Sequence, residues 1–464
     1  MATGSEARRV RGSGGNSEAQ LQNELKERGV ADVMVSLAST SRAMTAPAMA
    51  MAAGAGGGGT AASLGFPSVA REFSYSGLPP DLLSCFESEY TESNEAGGLS
   101  LSMTAPRDRT ARSAKASLYS GQEIAPLLHL NNLGMILGSV SSRGLRELHR
   151  HQLVRSVRAV PEMTLVRPRR LAQAEPATEI TWGIKHLTIR KLRDQGLQGE
   201  GITVAHLDTG ADGTHPMLKD AFAAFAEFNY IGRPVVPEPA PHDTDRHGTH
   251  TAGTIAGREV QGHRMGVAPK VKLASAIVIE GGRVTFRILS GINWALQQGA
   301  KVLSMSLGLP GVVDDFAGIS QTLRDRGMLL IVAIGNEGPG TSRSPGNYRT
   351  ALSVGAANEQ GEVADFSSSQ GLPPPRDRIV PDLVGPGVGV ISSVPGGGYM
   401  SMDGTSMATP HIAALAALLF EAKPTATPDQ VQNAIFNSCQ RTKQMKRDRA
   451  NRGLPDAEVA LKNL

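Results

Sequence analysis

The sequence predicts an α/β protein with a mostly parallel central sheet and helices on both faces, preceded by a small α+β unit. Three observations lead there. From Trp182 onward, short apolar runs alternate with helical segments, the pattern of strands buried on both faces. Those runs ("ITVAHLD", "VKLASAIVI", "KVLSMSLG", "MLLIVAIGN", "ALSVGAA") are rich in β-branched and small aliphatic residues. The length of 464 residues, with 40% hydrophobic and only 4% aromatic content, allows one large aliphatic core plus additional segments.

The elements follow in order. Residues 1–120 read as a mostly disordered extension, with a short helix candidate around "AQLQNELKERGVADVMVSLA" and linker composition in "TAPAMAMAAGAGGGGTAAS" and "TESNEAGGLSLSMTAPRDRTARSAKAS". Gly54–Gly59 has no following Lys-Ser/Thr and no preceding strand, so it reads as linker and not as a phosphate loop. Residues 126–170 form the α+β unit: strand "LGMILGSV", Ser-initiated helix "SSRGLRELHRH" and the β-rich "VRSVRAVPEMTLV". A polar, proline-containing connector occupies 171–180, continuing from the exposed run Arg167–Arg170, and the main domain spans 181–464. In that domain "FRILSGINWALQQGA" is an intervening helix. "TPDQVQNAIFNSC" starts on Thr427 as N-cap with Pro428 at the first helical position, and "PDAEVALKNL" is the last helix.

Composition excludes several classes. A net charge of +4 is small for this length, and no basic stripe interleaves with aromatics, so nucleic acid is not an expected partner. Cys85 and Cys439 cannot make a disulfide framework and are expected as free thiols. No apolar run reaches the roughly 20 residues of a membrane helix, so no membrane partner is expected. The N-terminus has basic residues without an apolar segment behind them. A conventional signal peptide is therefore not expected, which favours a cytoplasmic protein or export by a non-classical route.

In parallel α/β sheets, functional groups collect at the carboxyl ends of the strands. Here those ends supply Asp208, then Asn336, while His247 and Ser406 open segments of small residues. Taken singly, each has an ordinary reading as a turn, cap or structural residue. Together they have the makings of an activated nucleophile. A serine hydroxyl needs a base, His247; the base needs an orienting carboxylate, Asp208. Ser406 at a helix N-terminus has free N–H groups beside it, and Asn336 carries an amide that can donate to the same oxyanion. Pro410 is expected in the first turn of that helix, where few N–H groups have partners.

The motifs "VAHLDTG", "HGTHTAGTIAG", "SMSLG", "IGNEG" and "GTSMATPH", in this order, resemble those of the subtilisin-like serine proteases over about Thr181 to Leu464. The resemblance implies a subtilisin-like fold and a serine endopeptidase acting on protein or peptide substrates, with Asp208, His247 and Ser406 as triad and Asn336 as oxyanion donor. It also implies that Ser306, Leu307, Gly308 and Gly335 bind substrate, and that no cofactor is needed. The unit at 126–170 is similar to the family's inhibitory propeptide, implying a self-inhibited precursor, and the composition of the connector places the expected cut within roughly Arg170 to Thr181. The alternative is a catalytically silent interaction protein using its N-terminal extension.

Three departures from the family stand out. His206 replaces an apolar residue on the face of Asp208 and either fills space or tunes that carboxylate. Met217 and the Arg258- and Arg264-containing loop replace the ligands of a calcium site, so no metal is expected there. Arg343 is placed near the floor of the pocket before the scissile bond, which would favour an acidic side chain.

Overall fold

The computed structural model describes residues 14–38, 78–87, 127–175, 180–279 and 283–464. The glycine-rich run at 54–59 and the linker at 91–117 lie outside these residues. The chain divides into two compact units, Leu25–Val157 and a larger one comprising Met1–Glu24 with Arg158–Leu464.

The smaller unit holds a four-stranded sheet in the order Leu128–Leu130, Met135–Ser141, Val30–Leu37, Val154–Ala159. Val30–Leu37 runs antiparallel to Met135–Ser141, from Val30 opposite Ser141 to Ser36 opposite Met135. The sheet thus uses a strand from the first 40 residues, which the sequence assigns to a mostly disordered extension outside the 126–170 unit. Its position far from its partner in the chain hides the pairing from any local pattern. The helix Ser142–Arg150 begins as expected, with the Ser141 hydroxyl accepting from the Gly144 N–H at 3.3 Å and Leu145 and Leu148 turned inward.

The larger unit is built on seven parallel strands in the order Leu383–Pro386, Leu352–Ala357, Leu329–Ala333, Val302–Met305, Thr203–Asp208, Lys272–Ile277, Phe222–Glu227. Thr203–Asp208 comes first in the chain but lies inside the sheet. Later strands were added on either side of it, so Asp208 ends at the point where the winding reverses. The helix Thr405–Ala422 is buried from Thr405 to Phe420. Its alanines and leucines face apolar neighbours all round, as a central helix requires.

Two local readings change. "KVLSMSLG" is not one strand: Val302–Met305 belongs to the parallel sheet, and after Ser306 the segment Leu307–Pro310 leaves it to pair antiparallel elsewhere. Pro410 is the sixth residue of its helix, beyond the first turn. Lacking an N–H, it leaves the Ser406 carbonyl without its helical donor, and the Ser306 hydroxyl supplies the bond instead at 3.1 Å.

Candidate active site

The aspartate comes from the sheet and the histidine from a helix end beside it. Asp208 and His247 are 1% and 2% exposed. The His247 Nδ1–H donates to Asp208 Oδ1 at 2.7 Å, and the Thr209 N–H donates to the same oxygen at 2.8 Å. Burial opposes charge on both groups, but mutual attraction and the hydrogen bond outweigh it. Asp208 is thereby held below the usual carboxylate range and His247 above the usual histidine range. His247 Nε2 is buried and bonds no protein group, leaving its lone pair available to take a proton.

Asp243 fastens this corner and was missed by the sequence reading. Its Oδ2 accepts from the Thr249 N–H and hydroxyl, both at 2.6 Å, and its Oδ1 from the Thr209 hydroxyl at 2.7 Å. It therefore ties the aspartate strand to the first turn of the His247–Ala256 helix, where a carboxylate also suits the helix dipole. The signal for it was local: an acidic residue four positions before "HGTH".

Ser406 and Asn336 meet at the start of the central helix. The Thr405 N–H and hydroxyl both donate to Asn336 Oδ1 at 2.9 Å, which leaves the Asn336 Nδ2–H₂ as the outward donor. A Cβ on Gly404 would stand 2.8 Å from Ser406 Oγ and 3.3 Å from Asn336 Nδ2, so a side chain there would fill the space the two groups share. Gly335 has φ +121°, and a Cβ would come 2.4 Å from Glu337 Oε2; the turn that aims Asn336 needs glycine. The Ser406 hydroxyl is turned toward Met407 Sδ at 3.4 Å.

Residues 163–173 of the chain run through this site. Thr164 and Leu165 pair antiparallel with Gly308 and Leu307, and the Val166 N–H donates to the Ser306 carbonyl at 2.9 Å. Asn336 Nδ2 donates to the Arg167 carbonyl at 2.8 Å. Beyond it, the Arg169 Nε–H donates to the Asn336 carbonyl at 2.8 Å, and Arg170–Gln173 pairs antiparallel with Gly398–Asp403. Ser306, Leu307 and Gly308 thus make backbone bonds to an extended segment of this chain. The segment "RPRR" is accordingly not a free connector: Arg167 and Arg169 are engaged at the site.

Arg343 does not offer a free charge. Its Nη2 and Nε donate to Glu337 Oε1 at 2.6 and 3.1 Å, and its Nη1 to Thr164 Oγ1 and the Gly308 carbonyl at 2.8 and 3.1 Å. Glu337 is held below its usual range: burial opposes this, and Arg343 and Ser368 outweigh it. The expected attraction for an acidic side chain is corrected on this ground, since the cation is already neutralised by a carboxylate.

His206 is buried between two hydroxyls, with Nδ1 2.9 Å from Ser275 Oγ and Nε2 2.8 Å from Thr251 Oγ1. Burial lowers its pKa, so beside Asp208 it acts as a neutral dipole and not as a counter-charge. His250 and His411 are structural. The first is pushed down to about 3 by burial and bonds the Val390 and Met400 carbonyls at 3.0 and 3.1 Å. The second is pushed down to about 4 by burial and bonds the Met407 carbonyl at 2.8 Å. Around Met217, Arg258 is occupied by the Asp220 carbonyl and Arg264 by Glu259. Among the described residues no three His, Cys, Asp or Glu side chains cluster as metal ligands, and no helix is long and apolar enough to cross a membrane.

The geometry predicts that Asn336→Ala lowers kcat by about 10²–10³ with a smaller change in KM, the size associated with an oxyanion donor in subtilisin itself. Steady-state kinetics on a peptide substrate would check it. A rise in KM at constant kcat would show that Asn336 binds the ground state and the transition state equally, and is not an oxyanion-specific donor.

Comparison with known proteins identifies the family. The sequence profile of the subtilase family matches residues 199–455. Subtilisin Savinase from Lederbergia lenta is 36% identical over 265 residues, which are 56% of this chain and 92% of that protein. M-protease from Shouchella clausii is 36% identical over 265 residues, 65% of its own length. Subtilisin E from Bacillus subtilis is 33% identical over 290 residues, 61% of this chain and 71% of that protein. With a parallel sheet, a buried Asp–His pair and a serine-bearing central helix in the order of that family, the chain belongs to the subtilase family and carries a subtilisin-like serine endopeptidase domain.

Proposed function

We propose that the chain is a serine endopeptidase in which Ser406 attacks a peptide carbonyl, His247 takes its proton, Asp208 stabilises the imidazolium and Asn336 donates to the oxyanion. The observation that carries this is the pairing of Asp208 with His247 at 2.7 Å, with Nε2 left open, near the strand edge 306–308 where a peptide backbone is already paired. An acyl-enzyme then forms as the leaving amine takes the proton from His247. A fluorophosphonate probe tests it: wild type should label and Ser406→Ala should not. Equal labelling of both would overturn the assignment of the nucleophile.

The precursor is self-inhibited by residues 163–173 in this reading. They are strand-paired on both sides of Asn336, which favours occupation of the cleft ahead of any substrate at ordinary concentration. The bond after the carbonyl on Asn336 joins Arg167 to Pro168, whose nitrogen carries a ring and no hydrogen, so it makes a poor scissile bond. Release should occur downstream, within roughly Arg170 to Thr181. Incubated wild type should yield new N-termini there by mass spectrometry while Ser406→Ala stays intact. Cutting in both proteins would exclude self-processing, and an N-terminus at Pro168 would refute the resistance of that bond.

A further inference from the structure

The larger unit carries a second polar cleft, of ≈ 600 Å³, lined by residues from segments 349, 371–382, 432–436 and 447–452, none of which takes part in the chemistry above. It contains four arginines, Arg349, Arg378, Arg447 and Arg452, against two aspartates, Asp377 and Asp382. An adjoining cleft shares Phe436, Arg447 and Arg452, adds Arg441 and has no acidic residue in its lining.

The acidic residues do not cancel this charge. Asp382 is buried and spoken for: Arg378 Nη2 lies 2.5 Å from its Oδ1, and the Ser353 N–H and hydroxyl donate to its Oδ2 at 3.0 and 3.1 Å. Arg452 stands 3.7 Å from the same carboxylate and stacks 4.0 Å above the Phe436 ring, which holds its guanidinium plane in place. Arg378 keeps a buried Nη1 without a hydrogen-bond partner. Arg447 is exposed on the short helix Arg447–Ala450 and forms no ion pair with a described residue. One satisfied carboxylate and one exposed one, Asp377, therefore face a larger set of guanidiniums, of which Arg378 and Arg452 are held in place and Arg447 stands free at the rim. A surplus of arginine, part of it held by stacking and ion pairing and part free to close on a ligand, suits a multiply charged oxyanion, because each planar fork can give two charge-assisted bonds.

We propose that this paired cleft is a binding site for a phosphate-bearing ligand, centred between Arg447 and Arg452, and separate from the peptidase site. Titrating Ser406→Ala full-length protein with inorganic pyrophosphate by calorimetry, at constant ionic strength set with sodium chloride, tests it without interference from proteolysis. Saturable binding is expected, stronger for pyrophosphate than for inorganic phosphate, as two phosphates span both clefts. Arg447→Glu, at an exposed position, should weaken it at least roughly tenfold, and Arg452→Gln likewise. No saturable heat, or pyrophosphate binding unchanged in both variants, would overturn the proposal. Sulfate binding as well as pyrophosphate would overturn the preference for phosphate. Peptidase activity of Arg447→Glu in the Ser406 background should equal that of wild type.

Discussion

Replacing Ser406 by alanine is expected to lower kcat by about 10⁶, with KM little changed, as seen for the catalytic serine of subtilisin, whose magnitude is carried over here. The reason is that the variant loses the covalent route. The Asp208–His247 pair, at 2.7 Å, would still be present but would have no hydroxyl to deprotonate. Residual rate should come from Asn336 and the free N–H groups at the helix start, which stabilise an oxyanion formed by water. The fold should be retained, because the Ser406 hydroxyl touches only Met407 Sδ while its carbonyl, which alanine keeps, still accepts from Ser306. Active-site-titrated kinetics together with a melting curve would check both halves. A loss below about tenfold would place the nucleophile elsewhere.

Asp208→Ala should lower kcat by about 10⁴, again a magnitude taken from subtilisin. Its pH profile is more informative than its size. His247 must be neutral to act as base, and its pKa is raised: burial works against the cation, but the Asp208 charge and hydrogen bond prevail. Wild-type kcat/KM should therefore fall as pH drops through a value above the ordinary histidine range. Removing Asp208 removes the largest raising causes and leaves burial opposed only by the charges of Asp243 and Asp245, so the acid limb should move to lower pH. An unmoved or upward-shifted limb would show that another group governs it. His206 offers no substitute, since it is neutral and its ring nitrogens are held by Ser275 and Thr251.

Much of the catalytic domain was legible locally. Apolar runs of strand length gave five of the seven parallel strands, and the Thr427 cap with Gln430 forms a full capping box in the structure. The residues proposed as the triad could be picked out because each sits at an element end within a short motif. What local reading lacked were contacts made across the chain. Phe222–Glu227 is mostly alanine and phenylalanine without β-branched residues, and Leu383–Pro386 is four residues ending in Gly-Pro, so only their neighbours make them strands. Val30–Leu37 finds its partner more than a hundred residues away.

The sequence by itself determined the order Asp208, His247, Asn336, Ser406 and the parallel α/β class, because hydrophobic period and helix or strand ends are properties of neighbours in the chain. The edge at 306–308 was implied only by the resemblance of its motif. Tertiary structure alone decided the rest. It closed Arg343 onto Glu337, fixed the Asn336 amide through Thr405, placed Asp243 under the histidine helix and laid 163–173 along the cleft. Whether a charge is free or spent, and whether a strand edge is open or filled, depends on which groups meet in space. No pattern within one segment records that.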